Sequence, residues 1–325
     1  MNFSFVNKIF QGNIDFNSVA KELCMYQYNQ NETYKNWLDQ LHINIHKITA
    51  PEQIPFLPIS FFKTHKILCD DDKYDVLFES SGTMQTFKSR HYVKNINVYV
   101  KSFTEGFAHF YGDIRDWCII GLLPSYLQQK NSSLIKMVDE LIKLGNYKQS
   151  GFYLDEYEKL HIVLQQLEDQ KQKTLLIGVT YALLDFAEQF PIQLRSTTIM
   201  ETGGMKGRRK ELTRNEVHAL LKKQFNVKHI HSEYGMTELL SQAYSKANGK
   251  FYCPQWMRVF VRDEDDPLLV KRKGKGALNI IDLANANSCA FIATDDVGEV
   301  YDDGSFSVAG RLDGSDIRGC SLMVV

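Results

Sequence analysis

The sequence predicts an α/β protein, with a parallel sheet in its larger first part and mostly β-strands in its smaller last part. Up to about residue 245, short apolar runs alternate with segments of helical spacing, a pattern typical of parallel strands joined by helices. Beyond that point, short apolar runs are separated by turn residues alone. We therefore predict an α/β core with a helical lead-in over residues 1–245 and a β-rich portion over residues 246–325.

The core begins with a helical region over residues 14–48, where apolar residues recur every three or four positions. Pro51, Pro55 and Pro58 then predict an extended segment, because proline disfavours helix. The core elements predicted next are a strand at 74–79, a helix at 93–110, a strand at 117–123, helices at 132–144 and 160–170, strands at 174–179 and 197–200, and a helix at 214–224.

The β-rich portion is predicted from short apolar runs between turn residues. Asp302-Asp303-Gly304-Ser305 is typical of a hairpin turn. The predicted strands cover residues 257–261, 276–281, 290–293, 299–300 and 306–308.

Composition argues against several classes of protein. Lys and Arg number 38 against 39 Asp and Glu, so a net charge of −1 gives no electrostatic attraction to nucleic acid or to an anionic membrane. No apolar run reaches the length of about 18 residues that a membrane-spanning helix needs. The six cysteines form no C-x-x-C pair, so we expect their thiols to be reduced. The N-terminus lacks the pattern of a signal peptide, so we expect a cytoplasmic location.

A Ser/Gly/Thr turn follows the strand predicted at 74–79. It reads Ser80-Ser81-Gly82-Thr83, with Lys88 and Arg90 just beyond. Backbone amides and hydroxyls of such a turn can surround a phosphate, and the cations neutralise its charge. The spacing of the common P-loop is absent. We predict a phosphate site here, with an ordinary surface loop and a surface lysine as the alternative.

Two further motifs lie downstream. Tyr234-Gly235-Met236-Thr237-Glu238 also fits a strand end, a glycine turn and a helix cap. Ala293-Thr294-Asp295-Asp296-Val297-Gly298 is followed by Gly310-Arg311-Leu312-Asp313. Taken alone, the aspartate pair fits a solvated turn, and the arginine fits an ordinary surface residue.

In this order, the three motifs resemble the signatures of the adenylate-forming enzymes, which include acyl-CoA synthetases, luciferases and peptide-synthetase adenylation domains. Their order is a Ser/Thr/Gly loop, Tyr-Gly-x-Thr-Glu, Thr-Gly-Asp and Gly-Arg-x-Asp. The resemblance implies the large-domain fold of those enzymes, ATP and Mg²⁺ as cofactors, and formation of an acyl-AMP.

Other segments are similar to the acyl-protein synthetases of the bacterial luminescence fatty-acid reductase complex, over roughly residues 50–325. This resemblance implies a ligase that activates a fatty acid with ATP and passes the acyl group to a protein cysteine. A fatty acid and an acyl-accepting protein are the implied partners. The segments are Pro55-Phe56-Leu57-Pro58-Ile59, Phe61-Phe62-Lys63, Leu122-Leu123-Pro124-Ser125-Tyr126, Thr202-Gly203-Gly204-Met205-Lys206-Gly207 and Asp316-Ile317-Arg318-Gly319-Cys320.

The resemblance implies roles around the phosphates. Lys88 would contact the pyrophosphate, and the loop before it would surround the β- and γ-phosphates. The loop residues with this implied role are Ser80, Ser81, Gly82 and Thr83. Met84 and Gln85 stand where the family has Thr and Gly, a departure from its loop pattern.

The resemblance also implies contacts to the rest of the nucleotide. Thr237 would contact the α-phosphate and Glu238 would hold Mg²⁺, which prefers one or two protein carboxylates with phosphates and waters. Asp296 would bind the ribose hydroxyls and Arg311 would reach the ribose, although Asp295 replaces the family glycine. Residues implied to lie near adenine or the acyl pocket are Gly203, Gly204, Tyr234 and Gly235, with a simple strand-end turn as the alternative for the glycine pair.

Two features near the C-terminus concern acyl transfer. The sequence stops soon after Asp313, where the superfamily continues into a lid domain with a catalytic lysine, so we expect that lid to be absent. The resemblance implies that Cys320 accepts the acyl group, and Arg318 nearby could lower the pKa of its thiol. A buried apolar cysteine is the alternative. His91, His229 and His231 are candidates to polarise the acyl carboxylate, with a structural role as the alternative.

Two rival functions stay open. An acyl-CoA ligase would release AMP with CoA as the acceptor. A non-catalytic acyl- or nucleotide-binding subunit of the same fold would show no exchange between ATP and pyrophosphate.

Overall fold

The computed structural model describes residues 8–70, 73–81, 88–124, 131–204, 212–263 and 265–312. The chain divides into two compact units that alternate along the sequence. Unit 1 holds the described residues up to 106, then 236–242 and those from 252 onward; unit 2 holds 107–235 and 243–251. The division expected at residue 245 follows the type of secondary structure and stays a prediction.

The predicted helices are confirmed with small shifts of their ends. The region expected to be helical over 14–48 breaks at Asn31, whose side chain accepts a hydrogen bond from Tyr34 N and begins a second helix. Single 3₁₀ turns lie at Ile45–Lys47, Pro51–Gln53 and Ile114–Asp116. Within the described ranges the α-helices are α1 Phe16–Gln30, α2 Glu32–Gln40, α3 Phe61–Thr64, α4 Ile96–Tyr111, α5 Ser133–Gly145, α6 Tyr157–Asp169, α7 Thr180–Gln189 and α8 Arg214–Phe225.

The strands include several short ones that the apolar runs did not predict. In the same ranges they are β1 Leu57–Pro58, β2 Val76–Glu79, β3 Arg90–Val93, β4 Cys118–Leu122, β5 Gly151–Phe152, β6 Thr174–Gly178, β7 Thr197–Glu201, β8 His231–Tyr234, β9 Ala243–Ser245, β10 Met257–Arg262, β11 Val270–Lys271, β12 Gly274–Asp282, β13 Phe291–Val300 and β14 Phe306–Arg311.

Unit 2 is built on the predicted parallel sheet, which confirms the α/β fold class. Its strand order is β5-β4-β6-β7-β8-β9, and only the last pair, β8 with β9, is antiparallel. Every residue of β4 and β6 is buried, as expected for parallel strands covered on both faces. The carboxyl ends of β7 and β8 bring Glu201 and Tyr234 to the same edge of this sheet.

Unit 1 contains a second, mostly antiparallel sheet. Its order is β1-β13-β12-β10-β11, with β14 pairing to β13 as well. The strand pair predicted at 290–293 and 299–300 is wrong in one respect, since β13 runs without a break through both segments. Polar residues in its middle suggested a turn, but these side chains lie within the strand.

Unit 1 also contains a separate hairpin of β2 and β3. The predicted strand at 74–79 therefore does not join the parallel sheet; it pairs antiparallel with β3 across the Ser/Gly/Thr loop. The loop is too short for the helical crossover that parallel pairing needs.

Distant parts of the chain are joined inside unit 1. The Gln27 side chain donates to the carbonyl oxygens of Asn285 and Ala286, at 3.0 and 2.9 Å, and accepts from Ala290 N at 3.0 Å. Asn31 donates to the carbonyl oxygen of Ser288 at 3.0 Å. The N-terminal helices are thereby fixed to the segment before β13. No helix in the described part of the chain is long and apolar enough to cross a membrane.

Candidate functional site

The two ends of the predicted phosphate loop are closed by a pair of serines. Ser80 N donates to Ser89 O at 3.0 Å, and Ser89 N donates to Ser80 Oγ at 2.9 Å. Ser81 and Lys88, next to these ends, are exposed. Gly82 and Thr83, like Met84 and Gln85, lie outside the described residues. The hairpin thus presents the start and the lysine of the predicted loop at one end of β2 and β3.

Thr237 and Glu238 follow β8 in a turn that does not lead into a helix, so the alternative of a helix cap is wrong. The Glu238 side chain is completely buried, with 0% exposure. His91 Nδ1 donates to the Thr237 carbonyl oxygen at 2.8 Å, since that oxygen can only accept. Asn285 Nδ2 donates to the Glu238 carbonyl oxygen at 2.8 Å. The backbone on both sides of the Glu238 Cα is therefore held by side chains.

Asp282 holds the same segment further along. Its carboxylate accepts from Leu240 N at 2.8 Å, from Ser241 N at 3.0 Å and from Ser241 Oγ at 2.6 Å. Burial raises the pKa of Asp282, although these hydrogen bonds oppose the rise. The turn that begins at Asp282 and includes Asn285 thus fixes the position of the chain after Thr237.

Asp296 and Arg311 lie directly opposite each other on β13 and β14. Arg311 Nε donates to Asp296 Oδ1 at 3.2 Å, and the two side chains are 8% and 5% exposed. The alternatives of a solvated turn and a surface arginine are therefore wrong. The pairing selects Asp296 rather than its neighbour Asp295 as the carboxylate that faces the arginine.

Arg262 supports the same strand. Its guanidinium donates to the Thr294 carbonyl oxygen and to Asn279 Oδ1. Burial lowers the pKa of Arg262, and the charges of Asp295 and Asp296 oppose that change. Sequence motifs gave no signal for this residue, because its partners are backbone carbonyls and one asparagine side chain on other strands.

Gly203 and Gly204 form a tight turn at the end of β7 in unit 2. Their φ angles are 74° and 92°, a region that side chains disfavour. Their carbonyl oxygens accept from Thr180 N at 2.9 Å and Tyr181 N at 3.2 Å. Gly203 N donates to Glu201 Oε2 at 2.7 Å. The turn is therefore fixed by the N-terminus of α7 and by the glutamate before it.

A buried charged cluster surrounds Glu201, and the sequence did not indicate it. Burial favours the protonated form of Glu201, but the His218 hydrogen bond, the Arg214 charge and Ser232 outweigh it and lower its pKa to about 2. The pKa of Glu233 shifts in the opposite direction, because burial and the Glu201 charge raise it to about 8. Two neighbouring carboxyl groups thus differ in charge at neutral pH.

Tyr234 is the last residue of β8, and Gly235 follows it before the chain continues into unit 1. The Tyr234 ring is buried, with its centroid 5.8 Å from that of Phe251, while Gly235 is exposed.

The three candidate histidines differ in environment. His91 has both ring nitrogens against oxygen atoms, Nδ1 as above and Nε2 at 3.0 Å from Asn285 Oδ1. Burial lowers the pKa of His91, while the hydrogen bond to Thr237 and the Glu238 charge oppose this. His231 Nδ1 lies 3.1 Å from the Tyr111 hydroxyl, and burial lowers its pKa to about 4. His229 is exposed. A histidine whose two nitrogens are occupied is a poor candidate to polarise a substrate.

The predicted Mg²⁺ is compatible with one protein carboxylate. Among the described residues, no group of three or more His, Cys, Asp or Glu side chains is arranged to hold a metal ion. Mg²⁺ in nucleotide sites commonly takes one or two carboxylates and completes its shell with phosphates and waters. A buried carboxylate such as Glu238 has lost its hydration, so a cation would stabilise its charge.

Comparison with curated proteins finds two ligases that match nearly the whole chain. The long-chain-fatty-acid–luciferin-component ligase of Aliivibrio fischeri is 25% identical, over 94% of this chain and 86% of its own length. The ligase of the same name from Vibrio harveyi is 24% identical, over 94% and 85%. No protein-family model matches the chain.

Solved structures share the fold at lower identity. A 2-hydroxyisobutyryl-CoA ligase, solved in the postadenylation state, aligns with a TM-score of 0.67 at 11% identity, over 93% of this chain and 68% of its own. ATP-bound MatB from Rhodopseudomonas palustris aligns with a TM-score of 0.55 at 14% identity. The match covers 74% of this chain and 49% of MatB, so the aligned region spans about half the length of that protein. The curated matches confirm the resemblance to ligases of long-chain fatty acids, and the solved structures confirm the predicted fold.

Proposed function

We propose that the chain is an acyl-protein ligase that activates a long-chain fatty acid with ATP and transfers the acyl group to a protein thiol. The observation that carries the proposal is the match over 94% of the chain to two ligases named for a long-chain fatty acid. The fold shared with acyl-CoA ligases supports adenylation as the activating step.

The proposed reaction has two steps. A carboxylate oxygen of the acid attacks the α-phosphorus of ATP, the bond to the β-phosphate breaks, and pyrophosphate leaves. A thiolate then attacks the acyl carbon, and AMP leaves as the thioester forms. Mg²⁺ would neutralise phosphate charge in the first step.

Within unit 1, proposed roles follow from position and charge. Lys88 neutralises the leaving pyrophosphate beside the loop of Ser80 and Ser81. Glu238 is the metal ligand, and Thr237, the residue before it, contacts the α-phosphate. The backbone hydrogen bonds on both sides of Glu238 support these roles, because positioned groups lower a barrier more than mobile ones.

Other proposed roles concern the nucleoside. Asp296 accepts hydrogen bonds from the ribose hydroxyls, and Arg311 orients that carboxylate and reaches the ribose. Their direct pairing supports the proposal, since a buried carboxylate needs a positive partner. The unit 2 residues proposed to contact the adenine or the acyl group are Gly203, Gly204, Tyr234 and Gly235.

Cys320, which lies outside the described residues, is the proposed acyl acceptor, before transfer to a partner protein. The other five cysteines support this choice. Burial raises the pKa of every one of their thiols, to about 11 for Cys24 and about 12 for Cys289. Because the thiolate is the nucleophile, these five react poorly near neutral pH.

Pyrophosphate release tests the activating step. Wild-type protein with MgATP should release pyrophosphate with long-chain acids and less with short or aromatic acids. Glu238→Gln keeps the size of the side chain but loses the charge, so release should fall by roughly a hundredfold at limiting Mg²⁺. Unchanged release in this variant would refute the metal role, and absence of release with every acid would refute the adenylation proposal.

Intact-mass analysis tests the acceptor. After incubation with acid and MgATP, the wild type should carry a hydroxylamine-labile acyl group, whereas Cys320→Ser should still release pyrophosphate but carry none. An adduct that persists in Cys320→Ser would overturn the role of Cys320. AMP release that requires CoA would instead support the rival acyl-CoA ligase.

A further inference from the structure

His91 links two parts of unit 1 that the proposed function uses. It lies on β3, three residues beyond Lys88 and opposite Phe78 in the hairpin. Its side chain is completely buried. The proposed chemistry assigns it no role, and its two occupied nitrogens exclude it as a free acid or base in this arrangement.

The partners of His91 are close to the proposed metal ligand. Nδ1 donates to the Thr237 carbonyl oxygen at 2.8 Å, one peptide bond before Glu238. Nε2 lies 3.0 Å from Asn285 Oδ1, and the same amide donates to the Glu238 carbonyl oxygen at 2.8 Å. A neutral imidazole donates from one nitrogen only, so the Nδ1 hydrogen bond ties the Thr237 carbonyl to β3. The Glu238 carbonyl is held by Asn285, whose side chain lies against the other side of the ring.

The orientation of the ring is also fixed. The Phe62 ring meets it edge to face, at 5.7 Å between centroids and an angle of 89°. Asn285 is fixed in turn, because its backbone N donates to Asp282 O at 3.0 Å. A bond to a main-chain carbonyl restrains the Cα position itself, which a bond to a flexible side chain would not.

We propose that His91 is a positioning residue that holds the Thr237–Glu238 backbone in register with the hairpin carrying Lys88. The inference rests on the proposed function, since it gives Glu238 and Lys88 their roles. Its consequence is specific: His91 affects the gain in ATP affinity that Mg²⁺ provides, through the position of Glu238. It leaves the response to the fatty acid nearly unchanged.

Two substitutions separate the nitrogens of the ring. The amide nitrogen of His91→Asn occupies nearly the position of Nδ1, so it can still donate to Thr237 O. The amide of His91→Gln reaches the position of Nε2 and loses that contact. Asn31→Ala is the control, because it removes a buried helix cap and the bond to Ser288 O in the same unit, and neither contact involves His91, Thr237, Glu238 or Asn285.

The readout is ATP binding by calorimetry, with Mg²⁺ and with EDTA. Outer-shell partners of a metal ligand typically contribute 10- to 100-fold in metal affinity. His91→Gln should therefore reduce the ratio of the two dissociation constants by roughly tenfold, while His91→Asn stays within about threefold of wild type. Asn31→Ala should lower the melting temperature and leave the ratio unchanged.

The outcomes separate this inference from the proposed function. If the wild type binds ATP more tightly with Mg²⁺ and His91→Gln keeps the same ratio, the positioning role is overturned and the proposed function stands. If the ratio of the two dissociation constants falls equally in His91→Asn and His91→Gln, the hydrogen bond to Thr237 O does not cause the effect of Mg²⁺ on ATP affinity. The inference is then overturned as well. If the wild type shows no gain from Mg²⁺, the metal role of Glu238 and this inference are overturned, while pyrophosphate release tests the adenylation proposal separately. His91→Ala, which also loses the Thr237 contact, replaces His91→Gln if that variant does not fold.

Discussion

Asp296 and Arg311 are buried because of the strands in which they lie. The pair is buried only because β13 continues through Asp296 and β14 returns opposite it. Motif order predicted a ribose-binding role for each residue, but the aspartate pair by itself suggested a solvated turn. Sequence could not predict the burial, because it depends on a strand pairing rather than on local composition.

Asp296→Asn should raise the KM for ATP by roughly 10- to 150-fold, because a charge-assisted hydrogen bond contributes about 1.5–3 kcal/mol. The kcat should change little, since a ribose contact is made in the ground state and the transition state alike. Steady-state pyrophosphate release over a range of ATP concentrations measures both constants. Asp295→Asn is the matched control, and an effect of that variant alone would mean that the ribose carboxylate is Asp295.

Glu233 predicts a pH dependence of stability. Its pKa is raised from 4.5 to about 8 by burial and the Glu201 charge, so between these values the folded chain keeps a proton that the unfolded chain has released. The free energy of unfolding therefore falls as pH rises through this window, with a limit of about 1.4 kcal/mol per pH unit. Glu201, lowered to about 2, does not titrate there in the folded state and contributes a constant amount above about pH 4.5.

Glu233→Gln mimics the protonated group, so its free energy of unfolding should not fall with pH for this reason. The difference in free energy of unfolding, variant minus wild type, should be larger at pH 8 than at pH 5 by at least about 1 kcal/mol. Urea denaturation of both proteins at the two pH values measures the difference. His231 titrates in both proteins and so cancels. A constant difference would show that Glu233 ionises normally.

Whole elements were predictable where they are long and periodic. The helices α5 and α8 and the buried strands β4 and β6 follow from apolar spacing alone. The strand β1 was missed, since its two residues pair parallel with β13, more than two hundred positions away in sequence. His91 was noticed as a histidine, but its role depends on Thr237 and Asn285, which no local pattern connects to it.

At the scale of an element, the junction of β13 and β14 depends on one glycine. A Cβ on Gly298 would lie 1.9 Å from the backbone oxygen of Ser307, which cannot move without the strand. Gly298→Ala should therefore destabilise unit 1 by about 1–3 kcal/mol, the range for overpacking. It should also raise the KM for ATP, because it separates Arg311 from Asp296.

Thermal unfolding of Gly298→Ala should be compared with that of Gly151→Ala. Gly151 also lies in a strand, but a Cβ there would meet no atom within 4 Å. The control variant should melt within a degree or two of wild type. Equal melting temperatures for the two variants would show that β14 can shift to accept a side chain.

For the whole molecule, the buried thiols predict resistance to alkylation. The pKa of Cys24 rises from 9.0 to about 11, so its thiolate fraction at a given pH falls about a hundredfold. We expect iodoacetamide at pH 7.5 to modify Cys24 and Cys289 at least a hundredfold more slowly in the folded chain than in urea. Peptide mass spectrometry measures each rate. Rapid modification of Cys24 or Cys289 in the native protein would contradict the burial shown here.

The long-range hydrogen bonds of Gln27 and Asn31 have a consequence for biosynthesis. A ribosome releases the N-terminal helices long before the residues at 285–290 that they bind, and at ~5–20 residues per second the interval is on the order of tens of seconds. The parallel sheet spans only β4 to β9 and can close during that interval. Nascent unit 1 would meanwhile expose the apolar faces of α1 and α2, so chaperones that bind apolar surface should hold the nascent chain until the last strands emerge.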